Sequence, residues 1–117
     1  MKNIEQLDQY LQHWQEVLNL KDWDLTIKLS EFTRTDYQQT GDIEVDKENK
    51  KATVLISKKD TGKDPNKVIL HELIHLILWR YDQYSEKLIA VDNKNKYFEL
   101  LEKTVESLTD IIYKNNH

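Results

Sequence analysis

Residues 65–82 read PNKVILHELIHLILWRYD, and this stretch decides the fold. Apolar residues occupy nearly every side of a helix drawn through it, which predicts a central, buried helix. Asp64 stands before it as a predicted N-cap, and Pro65 fits the first helical turn. The apolar run within it, VILHELIHLILW, is too short and too interrupted by polar groups to cross a membrane. We therefore expect the core helix of a soluble protein.

The patterns on either side of this helix predict the other elements. Apolar residues at helical spacing or in strict alternation predict helices at 3–19 and 94–114 and strands at 23–29, 42–46 and 52–57. The short turn-like stretch between the last two strands predicts that they pair as a hairpin. The whole chain, residues 1–117, is then one α+β domain, with three helices packed on a small three-stranded sheet in two layers.

The composition narrows the class of protein. Charged residues make up 32% of the chain and the mean hydropathy is -0.77, which is typical of a well-solvated globular domain. The chain has no cysteine, so disulfides, thiolate ligands and a cysteine nucleophile are excluded. Its net charge of -4 disfavours nucleic acid as a partner. Charges interrupt the N-terminal apolar residues, so we expect neither a signal peptide nor a membrane anchor, and a cytoplasmic location.

The sequence HELIH, residues 71–75, contains the candidate metal-binding and catalytic residues. Positions four apart on a helix differ by only about 40° around its axis, so His71 and His75 can bind one ion. Two neutral imidazoles and a carboxylate suit Zn²⁺ and leave a fourth position for water, whose pKa the metal lowers. Glu72 lies near enough to take the proton of that water and to pass it to a leaving amine. We predict one Zn²⁺ per chain, with Glu72 as the general base.

The third protein ligand is expected on the last helix. Its predicted core-facing residues are Tyr97, Phe98, Leu101, Val105, Leu108, Ile111 and Ile112. On a helical wheel Glu102 lies at the edge of this stripe, and Glu106 lies further round. Glu102 is therefore the favoured third ligand. Glu106 is the alternative, or a carboxylate that accepts a hydrogen bond from a ligating histidine, a role for which Asp82 is a weaker candidate.

HELIH followed by a glutamate on a downstream helix resembles the gluzincin branch of zinc metallopeptidases. More closely, the chain is similar to small zincin-like metallopeptidases common in phages and prophages, through WQEVLNLKDWDLTIKL, ATVLIS, VILHELIHLIL and LEKTVESLTDIIYKNN. The resemblance implies His71, His75 and Glu102 as zinc ligands and Glu72 as the general base. It also implies that an extended peptide or protein substrate pairs with the strand ATVLIS, at Val54, Leu55 and Ile56.

Other interpretations stay open at this point. A zincin fold can be reused as a zinc-binding but non-catalytic module for protein interaction or regulation in a mobile element. Lysine-rich segments at 46–51 and 57–63 could mark a protein that acts on DNA-bound partners, although interspersed acidic residues favour two solvated loops. Groups able to stabilise a transition state are not identified by any pattern, and the available candidates are Arg80, Tyr81, Tyr84 and Tyr97.

Overall fold

The computed structural model describes residues 3–33 and 38–116, except for the side chains of Arg80, Tyr81, Gln83, Tyr84 and Glu86. Within these ranges three helices and one three-stranded sheet form an α+β fold, as the sequence predicts. In chain order the elements are α1 (Ile4–Val17), β1 (Asp24–Ser30), β2 (Gly41–Asp46), β3 (Lys51–Ser57), α2 (Pro65–Leu88) and α3 (Lys94–Asn116), and a short 3₁₀ turn (Val91–Asn93) precedes α3.

The sheet has the order β1-β3-β2, so the last strand in the chain is the central one. β3 pairs in parallel with β1 and antiparallel with β2, which confirms the predicted hairpin. Successive side chains of a strand point to opposite faces. On β3 the residues Ala52, Val54 and Ile56 are buried on one face. The other face is polar, and there the hydroxyls of Thr26 and Thr53 lie 3.0 Å apart in a hydrogen bond.

The central position of β3 contradicts the expectation that a substrate pairs with this strand. Val54 already faces Ile27 of β1 on one side and Ile43 of β2 on the other, and Leu55 and Ile56 are paired on both sides too. A peptide can add only to a strand with an unpaired edge. The assignment of Val54, Leu55 and Ile56 as substrate-pairing residues is therefore wrong, because local alternation does not tell a central strand from an edge strand.

Helix α1 packs against both the sheet and α2. Asn3 caps it through a hydrogen bond from the backbone N–H of Glu5, and Leu7, Leu11 and Trp14 are buried. The indole N–H of Trp14 donates to Oδ1 of Asn66 over 2.6 Å, inside the core. This bond fixes the end of α1 against the first turn of α2.

Helix α2 is the central element, as predicted. Oδ1 of Asp64 accepts a hydrogen bond from the backbone N–H of Asn66, and Pro65 occupies the first turn. The buried residues of α2 that form the core are Ile69, Leu70, Leu73, Ile74 and Leu76. The helix continues to Leu88 rather than ending at 82, because residues 83–88 include good helix formers and no Gly or Pro. None of the helices in the described ranges is both long and apolar enough to span a membrane.

The face of α3 that packs on α2 is rotated from the predicted one. Val105 and Thr109 are buried, whereas Leu108 and Ile111 are 37% and 58% exposed and Phe98 is also exposed. The Thr109 hydroxyl donates to the carbonyl of Val105 over 2.6 Å, so its burial leaves no unpaired polar group. A core-facing stripe assigned from hydrophobicity alone omits a threonine that is buried with its hydroxyl hydrogen-bonded. It also overestimates how many residues of α3 are buried, because the packing partners of α3 among the described elements are α2 and the preceding turn.

Candidate metal centre and its cleft

Two helices bring the predicted ligands together. His71 and His75 lie one turn apart on α2, with their ring centroids 5.0 Å apart. Glu102 reaches both from α3: its Oε1 lies 2.8 Å from Nε2 of His75, and its Oε2 lies 3.4 Å from Nε2 of His71. The three residues singled out by spacing and by the helical wheel therefore meet at one place.

The donor atoms of this cluster fit a zinc ion. One nitrogen from each histidine and one oxygen of Glu102 lie within 4.8 Å of one another. Tetrahedral zinc with bonds of about 2.1 Å places its ligand atoms about 3.4 Å apart, so only small side-chain adjustments are needed. Two imidazoles and a carboxylate are also a ligand set that catalytic zinc uses, with one position left open. The chemistry and the spacing of His71, His75 and Glu102 thus suit one Zn²⁺.

His75 and Glu102 shift the pKa values of each other. Hydrogen bonds with His71 and His75 hold the pKa of Glu102 well below its usual range, although partial burial opposes this. Burial works against a charged His75, but its hydrogen bond to Glu102 and the nearby carboxylates of Glu72 and Asp82 outweigh burial and raise the pKa of His75. Glu102 is therefore ionised, which is the form that ligates a metal.

Glu72 lies beside the cluster in a different environment. Its residue is only 8% exposed, and burial raises the pKa of its carboxyl to about 7, against the opposing positive charges of His71 and His75. Asp42 raises it further. None of the described residues donates a hydrogen bond to the Glu72 oxygens, which border the cleft. A carboxyl group with a pKa near neutrality and an open side can both accept and return a proton.

Strand β2 approaches α2 most closely at Gly41, beside Glu72. A methyl group on Gly41 would lie 2.6 Å from Cγ1 of Val68, 3.1 Å from the carbonyl oxygen of Leu55 and 3.4 Å from Oε2 of Glu72. Real Cβ atoms do not approach a neighbour to 2.6 Å, so a side chain here would force β2 away from α2. Glycine thus lets the beginning of β2 form a wall next to the Glu72 carboxylate.

The cluster and Glu72 open into a cleft of about 710 Å³ between β2, α2 and α3. Side chains spaced three or four residues apart on α2, from Lys67 to Asp82, form its floor. α3 runs antiparallel to α2 along one wall. Lys67 pairs with Asp110 over 2.6 Å at one end, and at the other end the Tyr97 hydroxyl donates to Oδ1 of Asp82 over 2.8 Å.

Glu106, the alternative ligand, lies outside the group of ligand side chains. It lines the cleft, but the group of potential ligands among the described residues is His71, His75 and Glu102. No described residue forms a hydrogen bond or an ion pair with the Glu106 carboxylate. Asp82, the weaker candidate, is the carboxylate whose charge acts on His75 in addition to those of Glu72 and Glu102.

The sequence patterns did not predict which residues form the wall of the cleft on the β2 side. Gly41, Ile43 and Val45 line it, and Trp79 lies next to them on the floor. The position of Trp79 was detectable, because it follows His75 by four residues and so shares its side of α2. The three β2 residues were not, because their place depends on how the strands pair.

The candidates for stabilising a developing negative charge are only partly described. The hydroxyl of Tyr97 donates to Asp82, so its proton is already used within the protein. The side chains of Arg80, Tyr81 and Tyr84 lie outside the described part of the structure.

Comparison of the chain with protein-family models, with curated proteins and with solved structures gives no match. The resemblance to small zincin-like metallopeptidases thus stays a prediction.

Proposed function

We propose that this protein is a zinc-dependent metallopeptidase, or a closely related amide hydrolase, with one Zn²⁺ bound by His71, His75 and Glu102. The observation that supports this best is the joint position of the three ligand side chains and the buried carboxyl of Glu72, which border the same cleft. A site that only stabilises the fold has no need of a proton acceptor beside it.

The side chains of the site have separate roles in the proposed hydrolysis. Zinc, when bound, would lower the pKa of a water molecule and polarise the carbonyl of a peptide bond. His71, His75 and Glu102 would hold the ion beside the cleft. Glu72 accepts a proton from the attacking water and later delivers it to the leaving amine, since its carboxyl borders the same cleft as the three ligands.

The substrate of this proposal is an extended peptide segment lying along β2. β2 pairs with β3 on one side, and in the described ranges no strand pairs with its other edge. That strand also lines the cleft from Gly41 to Val45. A segment that adds to an unpaired edge gains backbone hydrogen bonds without regard to its sequence. β2 thus replaces β3 as the strand proposed to hold the substrate.

The alternative is a zinc-binding module that binds a partner protein without hydrolysing it, as in a regulator carried by a mobile element. The position of the Glu72 carboxyl beside the three ligands favours the hydrolase, because a purely structural site gains nothing from a proton acceptor there. For either function we propose a cytoplasmic location, for which the absence of cysteine is the supporting observation.

The first experiment measures metal content by mass spectrometry in the purified wild type, Glu102→Ala and Glu106→Ala. Glu106→Ala is the matched control, since it removes a carboxylate of the same helix and cleft that lies outside the ligand group. We expect about one zinc per chain in the wild type and in Glu106→Ala, and loss of zinc in Glu102→Ala. A folded wild type that retains no zinc would refute the metal site.

The second experiment separates the hydrolase from the module. Zinc-loaded wild type and Glu72→Gln are incubated with an unstructured protein, and the products are identified by mass spectrometry. We expect cleavage by the wild type and a loss of at least about 100-fold in Glu72→Gln, with its zinc retained. Equal activity in the two proteins would exclude Glu72 as the base, and no cleavage by zinc-loaded wild type would favour the module.

A further inference from the structure

We infer that the cleft selects its peptide through an apolar subsite formed by Ile43, Val45 and Trp79. We call these three residues the Trp79 subsite. It takes a bulky apolar side chain that precedes the cleaved bond in the peptide. This inference rests on the proposed function, since it names the class of substrate for that site.

The Trp79 subsite lies at one end of the cleft. Trp79 follows His75 by one turn on the floor of the cleft, and Ile43 and Val45 are half-buried residues on the α2 side of β2. Lys47, just after β2, places its Nζ 5.4 Å from the centroid of a Trp79 ring. This cation–π contact holds the ring towards β2. Ile43, Val45 and Trp79 thus supply an apolar part of the cleft lining beside β2.

The opposite end of the cleft carries more charged groups than the end at Trp79, where Asp82 also lines it. Lys67 and Asp110 form an ion pair there, and Lys63 and Glu106 also line it. Charged groups that keep their water offer no favourable contact to an apolar side chain. A substrate that carries one bulky apolar residue is therefore held in one position along the cleft rather than in several.

The spacing of the elements relates this subsite to the cleaved bond. β2 runs in the same direction as α2, because Gly41 lies beside Glu72 while Lys47 lies over Trp79. From the middle of His71 and His75 to Trp79, α2 rises about 9 Å, which an extended peptide covers in about three residues. The subsite therefore takes a side chain about two to three residues from the bond at the metal.

The direction of the peptide follows from strand pairing. An antiparallel pair is more stable per residue than a parallel one. A peptide antiparallel to β2 runs from the Val45 end towards Gly41, so it passes Trp79 before it reaches His75 and Glu72. The apolar residue is then on the N-terminal side of the cleaved bond.

The test measures binding separately from cleavage. Glu72→Gln protein, with and without Zn²⁺, is titrated by calorimetry with two short extended peptides that differ only in a central Phe or Ser. We expect the Phe peptide to bind at least about tenfold more tightly. Adding Trp79→Ala should bring the two affinities close to each other. Adding Ile77→Ala, which removes an exposed apolar side chain of α2 outside the cleft lining, should leave their ratio unchanged.

Any of three results would overturn the subsite: equal affinity for the two peptides, no binding of either, or an unchanged ratio in Trp79→Ala. If Trp79→Ala does not fold, Val45→Thr replaces it, because it keeps the shape of the side chain and adds a hydroxyl to the subsite. An unchanged ratio in Val45→Thr then counts against the inference.

Mapping of cleavage sites distinguishes failure of the subsite from failure of the hydrolase. Zinc-loaded wild type is given a mixture of unstructured peptides, and the cut bonds are read by mass spectrometry. Enrichment of bulky apolar residues two to three positions before the bond supports the inference. Cleavage without that enrichment, or with enrichment only after the bond, overturns the subsite and keeps the hydrolase. A binding preference without any cleavage keeps the subsite and overturns the hydrolase.

Discussion

Nε2 of His75 and Oε1 of Glu102 lie 2.8 Å apart and form a hydrogen bond that connects α2 to α3. The bond joins a histidine whose pKa is raised to a carboxylate whose pKa is lowered. Because each group stabilises the charged form of the other, the pair links the stability of the metal-free protein to pH.

The first prediction concerns the pH range in which this pair stabilises the metal-free protein. The Glu102 contribution is present above its ordinary pKa of 4.5 and is lost as the pH falls through its lowered value. The His75 contribution is complete below its ordinary pKa of 6.5 and is lost as the pH rises through its raised value. Glu102→Gln should therefore lower the free energy of unfolding more at about pH 5.5 than at about pH 8.5.

Urea unfolding of chelator-treated protein at the two pH values measures this difference. Glu99→Gln is the control, because Glu99 pairs with Lys103 over 3.2 Å on the exposed side of the same helix. An exposed pair of this kind contributes less than about 1 kcal/mol, and no histidine titrates in it. A Glu102→Gln effect that is the same at both pH values would contradict the prediction.

The second prediction concerns the free energy of unfolding that is lost when buried Glu72 ionises. Its pKa rises from 4.5 to about 7 on folding, so the penalty is absent below pH 4.5 and complete above about pH 7. At about 1.4 kcal/mol for each pH unit, this shift corresponds to about 3 kcal/mol. Metal-free Glu72→Gln should thus be more stable than metal-free wild type by up to about 3 kcal/mol at alkaline pH, and by little at about pH 4.5.

Chemical denaturation across this pH range provides the measurement. Glu44→Gln serves as a matched control, because Glu44 is an exposed carboxylate of β2. That control should show no comparable gain. If Glu72→Gln is no more stable than wild type at alkaline pH, the burial of an ionised carboxylate is not the dominant cost at this position.

The third prediction tests the close approach of β2 to α2. Gly41→Ala places a methyl group within 2.6 Å of Cγ1 of Val68, so we expect it to lower the free energy of unfolding by about 1–3 kcal/mol. Val68→Ala removes the obstructing atom. The double variant Gly41→Ala/Val68→Ala should therefore lose less stability than the two single variants predict together. Simple additivity, measured by thermal unfolding, would show that the two residues do not share this space.

The fourth prediction concerns the bond between α1 and α2. Trp14→Phe keeps a large ring but removes the N–H that donates to Asn66, leaving a buried amide oxygen without that donor. We expect a loss of about 1–3 kcal/mol, which denaturant titration can resolve. Trp23→Phe is the comparison, because Trp23 is only partly buried. The loss in Trp14→Phe should clearly exceed the loss in Trp23→Phe.

Those parts of the site that depend on one helix were predictable from the sequence. The spacing of His71 and His75 places them on one side of α2 in any setting, and the wheel position of Glu102 needed only the approximate core face of α3. The chosen face was wrong at Leu108 and Ile111, yet Glu102 lies close enough to the true face to reach the histidines.

The parts that depend on the pairing of distant segments were not predictable. The alternation in residues 52–57 predicts a strand, but the pattern is the same for a central strand and an edge strand. The pairing of β3 with β1 on one side and with β2 on the other encloses it, and it leaves β2 to border the cleft. The role of Gly41 depends on the same pairing, since its neighbour Val68 belongs to another element.

The attachment of α3 has a consequence for the dynamics of the protein. The helix packs against α2 and the preceding turn, and the ring of Tyr113 lies 6.2 Å from that of Trp14 in α1. Val105 and Thr109 are its buried residues, and an element that is mostly exposed opens locally more readily than the core. Because Glu102 sits midway along α3, an ion held between the helices would slow amide hydrogen exchange throughout this helix. Metal binding at the candidate centre would then stabilise the C-terminal helix against local opening.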